Sequence, residues 1–166
     1  MVEYKNILVP TDFSVNSVQA LEFGHMLAKQ NHSVLHVLHI IESVYNQDQS
    51  LDDFNKKRFE EARYLDAEEE LRRFINKVSS KGVDIIEILA PGKPYEQILN
   101  YSRKNHVDLI VIASHGWTGL SNLVTGNVCN KVLRFSEIPT ICIKANASLL
   151  QDVRANRNTF AENWVG

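Results

Sequence analysis

The sequence predicts an α/β fold: a single open five-stranded parallel sheet with helices on both faces. Three observations lead there. Short apolar, β-branched runs alternate with longer amphipathic stretches along the chain, the pattern of parallel strands joined by right-handed crossover helices. The run VLHVLHII at Val34–Ile41 is mostly apolar on both parities, as a central strand buried on both faces requires. Residues 107–143 then read strand, glycine-bearing loop, helix and strand, half of such a sheet by themselves.

In chain order, residues 4–9 form a compact apolar strand stopped by Pro10, and Pro10, Thr11 and Asp12 make its exit loop. Ser14 is the expected N-cap of the next helix. There Ala20, Phe23, Gly24 and Leu27 fall on one side, with Leu21 and Ala28 beside them, a broad stripe suited to covering a sheet. After the second strand, residues 42–55 are polar and weakly patterned and read as a loop. Residues 56–80 make a long charged helix whose buried side is traced by Phe59, Ala62, Leu65, Ala67, Leu71, Phe74, Ile75 and Val78. Its Glu68-Glu69-Glu70 and Arg72-Arg73 runs form a solvated face.

Gly82 ends that helix and residues 83–89 supply the third strand. Pro91-Gly92-Lys93-Pro94 is a sharp loop, with Pro94 suited to a first helical position. The helix over residues 95–104 turns Ile98 and Leu99 inward. Val107 to Ala113 form the fourth strand, Val128 to Phe135 the fourth helix, and residues 138–144 the fifth strand. The domain therefore spans residues 1–145, and residues 146–166 are a C-terminal extension, either a short helix or a loose tail. There is no internal repeat and no linker.

Bulk properties exclude several function classes. At 166 residues, 44% hydrophobic and 23% charged, the chain is long enough for one domain with a real core. A formal net charge of -2 gives no electrostatic case for nucleic acid or an anionic membrane. No apolar stretch approaches the roughly 20 residues of a membrane span. The start, MVEYKNILVPTDF, lacks a basic segment followed by an uninterrupted apolar one, so no signal peptide is expected and the reading is cytoplasmic. Two cysteines, Cys129 and Cys142, suggest no disulfide framework, and Cys129 reads as a small buried residue.

The chemistry concentrates in the loop after Ala113. Small residues there let backbone approach a ligand, and a helix N-terminus offers unpaired N–H groups to an anion. The run Ala113-Ser114-His115-Gly116, the nine residues 117–125 and then Gly126-Asn127, together with VPTDFS near the start, resemble the universal stress protein family. Its nucleotide-binding members carry glycine, two residues, glycine, nine residues, then glycine with serine or threonine. Ala113 and Asn127 depart from that pattern. Alanine is costly only if the backbone at 113 has positive φ, by about 1–2 kcal/mol, and otherwise adds only a methyl. Asn127 can still cap the helix and donate to a phosphate.

The resemblance, over residues 3–144, implies strand order 3-2-1-4-5 and a ligand crevice between the first and fourth strands. It implies that Pro10, Thr11 and Asp12 line the adenine and ribose end and that Ile40 packs on the base. Gly92 and Pro94 stand in the matching third-strand loop. Ile112, Ala113, Ser114, His115 and Gly116 would follow ribose and phosphates, and Gly126, Asn127 and Val128 would close the phosphate end. The implied ligand is ATP or AMP, with Mg as a companion of the phosphates and no protein metal site. The implied partner is a second copy, paired through Pro139, Thr140, Ile141, Cys142 and Ile143 of the fifth strand, with a regulated protein unknown.

Two readings follow: a non-enzymatic nucleotide-binding regulator acting in stress response, or a nucleotide-free dimeric interaction protein of the same family. An enzyme of the wider adenine-nucleotide α/β group fits the sheet but lacks a visible acid–base constellation. GxxxxGK[ST] is absent and no Ser-His-Asp spacing is readable. His32, His36 and His39 read as buried strand histidines rather than metal ligands, since their parities differ and no cysteine is near. Trp117 is either a lid over the phosphates or an interface residue.

Overall fold

A computed structural model describes residues 3–42, 53–78, 82–114 and 128–144 of the chain. The elements run β1 (Asn6–Thr11), α1 (Val15–Asn31), β2 (Val34–Ile41), α2 (Asp53–Ile75), β3 (Asp84–Pro91), α3 (Pro94–Lys104), β4 (Leu109–Ala113), α4 (Val128–Phe135) and β5 (Thr140–Ile143). The strands form one parallel sheet in the order β3-β2-β1-β4-β5, as expected.

Strand alternation divides the core in two. Ile7, Val9, Leu35, Val37, Leu109 and Val111 face α1 and α2. Leu8, Leu38, Ile40, Ile110 and Ile112 face α3 and α4, where Ile98, Cys129 and Val132 meet them. Both parities of β1, β2 and β4 are thus apolar because both faces are covered. Each fully buried Leu or Ile, such as Leu8 and Ile110 at 0% exposure, contributes about 1.5–3 kcal/mol. At the amino end of the sheet, Asp108 Oδ2 accepts from the Lys5 and Asn6 N–H groups at 2.7 and 2.9 Å, clamping β1 to the start of β4.

Helix boundaries follow local chemistry. Ser14 caps α1, its hydroxyl accepting from the Ser17 N–H at 3.2 Å. Pro94 opens α3, where its missing N–H is no loss. Gly24, in the middle of α1, lets the helix sit directly on the sheet: a Cβ there would lie 2.5 Å from Val9 Cγ2.

Five expectations need correcting. β1 does not stop at Pro10 but runs on to Thr11, in register with β2 through Pro10↔Leu38 and Thr11↔His39. Proline is tolerated because the β4 register on the other side has already ended at Leu8↔Ile110. α2 begins at Asp53, inside the expected loop, and ends at Ile75. Only its later part is buried, through Ala67, Leu71, Phe74 and Ile75, whereas Phe59 and Leu65 are 53% and 65% exposed and Ala62 is exposed too. At about 1.5 Å per residue the 23-residue helix is ~34 Å long, against ~26 Å for the eight-residue β2 it covers, so its first turns outrun the strand.

β3 covers Asp84–Pro91, displaced from the expected 83–89, because its pairing with β2 continues to Ile41↔Pro91. His32 is not a buried strand residue. It is the exposed C-cap of α1, at φ 56°, with its N–H on the Ala28 carbonyl. Among the described residues no helix is long and apolar enough to cross a membrane. The expected extension at 146–166 lies outside the described residues.

Candidate functional site

The sheet order reverses at β1, so β1 and β4 meet at the switch point of the sheet. β1 and β4 pair at Ile7↔Leu109 and Leu8↔Ile110 and no further, although β1 continues to Thr11 and β4 to Ala113. Beyond that point β1 stays with β2 and β4 stays with β5, through Ala113↔Ile143. The β1–β4 pairing stops where Pro10, which has no N–H, would have to donate, and the carboxyl ends of these two strands flank the switch point, where open parallel sheets bind ligands.

The β1 rim is a compact polar turn. Thr11 Oγ1 accepts from the Phe13 N–H at 2.9 Å. Asp12 is exposed, and its Oδ1 accepts from the Ser14 N–H at 3.1 Å and from the Ser17 hydroxyl. Asp12 thus has a structural role at the entry to α1, of the kind common for Asp in strand exits. Phe13 was not anticipated from the sequence. It adopts φ 62°, a conformation that costs a bulky residue on the order of 1–3 kcal/mol. Its ring lies stacked on His39 with centroids 4.0 Å apart and edge-on to Phe74 at 5.7 Å, which holds the turn in place. The one available signal was its position between the strand-exit Asp12 and the N-cap Ser14.

On the other rim, Ala113 ends β4. Positive φ among the described non-glycine residues occurs at Phe13, His32 and His106, so Ala113 carries no left-handed strain. Its methyl packs with the α1–α2 core, on the face opposite Ile40 and Ile112. The first departure from the family's glycine pattern is therefore structurally neutral. Ser114 donates its N–H to the Ile143 carbonyl at 2.8 Å, so this amide serves the sheet.

Ile40, Ile112 and Val128 all belong to the α3–α4 core, with Ile40 and Ile112 at 8% and 5% exposure. Gly92, at φ +129°, bonds the end of β2 through its N–H to the Ile41 carbonyl at 3.1 Å. Pro94 begins the helix behind it. His115, Gly116, Gly126 and Asn127, and also Trp117, lie outside the described residues. Beside the crevice, on the α1–α2 side of β2, a cavity of about 400 Å³ is lined by Phe13, His39, Arg63, Asp66 and Glu70 and shares Ile40. Among the described residues, no group of three or more His, Cys, Asp or Glu could hold a metal ion.

Both strand histidines are used internally. His39 Nδ1 donates to the Thr11 carbonyl at 2.9 Å, leaving Nε2 as the unprotonated nitrogen of the neutral ring. Asn6 donates its amide to the His106 carbonyl, so its Oδ1 accepts from His36 Nε2 at 3.3 Å, and His36 Nδ1 accepts from the Tyr101 hydroxyl at 2.8 Å. Burial lowers the pKa of His36 below the ordinary 6.5. Burial also lowers that of His39, outweighing the Thr11 bond and the charges of Glu70 and Asp12.

An unfolded chain then binds more protons than the folded one below about pH 6.5, so stability is full above that value and is lost as pH falls through the folded pKa values. Thermal midpoints measured from about pH 8 down to about pH 5 are expected to fall, and H36Q/H39Q should flatten the curve. An unchanged slope in that variant would assign the acid sensitivity elsewhere.

A model of the universal stress protein family matches residues 3–144. The chain belongs to that family. Universal stress protein YxiE of Bacillus subtilis is 29% identical over 153 residues, covering 85% of this chain and 99% of the relative. Universal stress protein MJ0577 of Methanocaldococcus jannaschii is 28% identical over 164 residues, covering 89% of this chain and 99% of the relative. The solved MJ0577 structure superposes with a TM-score of 0.75 at 26% identity, over 87% of this chain and 99% of the other.

Two further structures share the fold. A universal stress protein in complex with cAMP matches at TM-score 0.66 and 18% identity, over 87% of this chain and 100% of the other. The Archaeoglobus fulgidus universal stress protein in complex with dAMP matches at 0.60 and 20%, over 86% and 100%.

Proposed function

We propose that this universal stress protein is a non-enzymatic, adenine-nucleotide-binding regulatory module of the cytoplasmic stress response. It takes ATP or AMP between the carboxyl ends of β1 and β4. The observation that carries the reading is the switch point of the sheet between β1 and β4, with Asp12 on one rim and Ser114 on the other. Supporting it are an apolar group of Ile40, Ile112 and Val128 suited to a purine face, and a carboxylate at the rim suited to ribose hydroxyls. The glycine spacing of residues 113–127 and the adenine nucleotides in structures of the same fold add to this. Gly116, Gly126 and Asn127 would meet phosphates through backbone N–H groups, with Mg accompanying a triphosphate. Any hydrolysis is slow, since no residue in the sequence is evidently placed to activate water.

The module acts as a homodimer through β5. That strand stands last in the sheet, and Leu133 and Phe135 on neighbouring α4 are 45% and 52% exposed. A second reading, a nucleotide-free dimer that works through this surface, draws on the Ser114 amide being already bonded to Ile143. Native mass spectrometry of gently purified protein, with the nucleotide extracted and identified, separates the two. ATP or AMP near one per chain on a dimer supports the first reading. A nucleotide-free dimer that ignores added ATP in calorimetry supports the second.

A further inference from the structure

We propose that Cys129 and Cys142 are an oxidant-responsive pair that closes into an intramolecular disulfide joining the first turn of α4 to β5. The two sulfurs are 3.2 Å apart, although the residues stand 13 positions apart and on different elements. They need to approach by only about 1.1 Å to reach the ~2.05 Å of an S–S bond. Both lie on the α3–α4 face of the sheet, where Cys142 is opposite Ile112 in register. The inference rests on the geometry of this pair and is independent of the nucleotide reading.

The two thiols are not equivalent. Cys129 is 2% exposed, whereas Cys142 is only part-buried in the single chain, so a small oxidant reaches Cys142 first wherever β5 is not covered by a mate. Burial holds the Cys129 thiol well above its ordinary range, and the hydrogen bond to Cys142 and the negative charge of Cys142 add to this. Cys129 is therefore a poor first nucleophile and is placed to act second.

With hydrogen peroxide as oxidant the steps balance. The Cys142 thiolate attacks one peroxide oxygen, the O–O bond breaks, and the departing hydroxide takes a proton to leave as water. Cys142 is now a sulfenic acid, its sulfur an electrophile beside the Cys129 sulfur. Cys129 gives up its proton, its sulfur attacks the Cys142 sulfur, and the displaced hydroxide departs as a second water. Two thiols and one hydrogen peroxide become one disulfide and two waters, with two electrons passing from sulfur to oxygen. A dithiol reductant reverses the bond.

The test is peptide mapping of the full chain under non-reducing conditions after graded hydrogen peroxide and alkylation of remaining thiols. The expected result is an intact chain lighter by two hydrogens, a cross-linked Cys129–Cys142 peptide, and recovery of both thiols with dithiothreitol. C129S should instead accumulate a sulfenic acid at Cys142 that dimedone traps. In C142S the thiol of Cys129 should stay unmodified at the same peroxide dose. Full alkylation of both cysteines after peroxide treatment of the wild-type chain would overturn the proposal, as would cross-links only between two chains. The wild-type map decides the matter even if either serine variant folds poorly.

Discussion

Asp12→Asn is expected to weaken ATP or AMP binding about 10- to 100-fold while leaving thermal stability almost unchanged. The expectation comes from separating two roles of one side chain. In the folded chain, Oδ1 accepts from the Ser14 N–H and the Ser17 hydroxyl at the entry to α1. An asparagine keeps an oxygen for both bonds and removes only the charge. If the carboxylate also receives hydrogen bonds from a ribose, losing the charge forfeits about 1.5–3 kcal/mol, which is the stated affinity range. Asp12→Ala should lose the same affinity and additionally destabilise the fold by ~1 kcal/mol, because the cap contacts go with it. Calorimetry with ATP and thermal melts on both variants make the comparison. Full-affinity binding by Asp12→Asn would restrict Asp12 to its structural role and move the ligand away from the β1 rim.

The same two-role problem explains what could be read from the amino acids. The number of strands, their parallel arrangement and both covered faces followed from runs such as VLHVLHII, because burial on both faces leaves no polar parity. Ser14 and Pro94 were legible as helix starts because their chemistry acts within one turn. The crevice needed more: β1 and β4 must be neighbours at the switch point, and that depends on pairing between segments about 100 residues apart. Helical periodicity marked Phe59 and Leu65 as a buried stripe, but burial requires a sheet underneath, and the sheet ends before the helix does. The contact between Cys129 and Cys142 has no local signature at all, since it arises only when α4 folds back over β5. Ala113 is the instructive case. Its cost was conditional on backbone φ, which a residue identity does not disclose, and the strand geometry removes that cost.

Gly24→Ala is expected to destabilise the protein by about 1–2 kcal/mol, although alanine is the better helix former. In the middle of α1 the substitution should gain about 0.5–1 kcal/mol of helix propensity. Against that, the added Cβ would sit 2.5 Å from Val9 Cγ2, 3.5 Å from Leu35 Cδ1 and 4.0 Å from Val111 Cβ. Val9 and Val111 are fully buried and stiff at χ1, so neither side chain can swing away cheaply. The helix must lift from the sheet instead, and overpacking of this kind costs about 1–3 kcal/mol. Val9→Ala alone should cost roughly 2 kcal/mol from lost burial and the cavity it leaves. In the double variant, the methyl added by Gly24→Ala enters the space that Val9 vacated. That variant should therefore be more stable than the sum of the single losses by ~1 kcal/mol or more. Urea melts of the four proteins measure that coupling. Strict additivity would mean that the approach of α1 to β1 is not what requires glycine. A favourable coupling would make Gly24 the residue that seats α1, and with it the Asp12–Ser14 turn at the rim of the crevice.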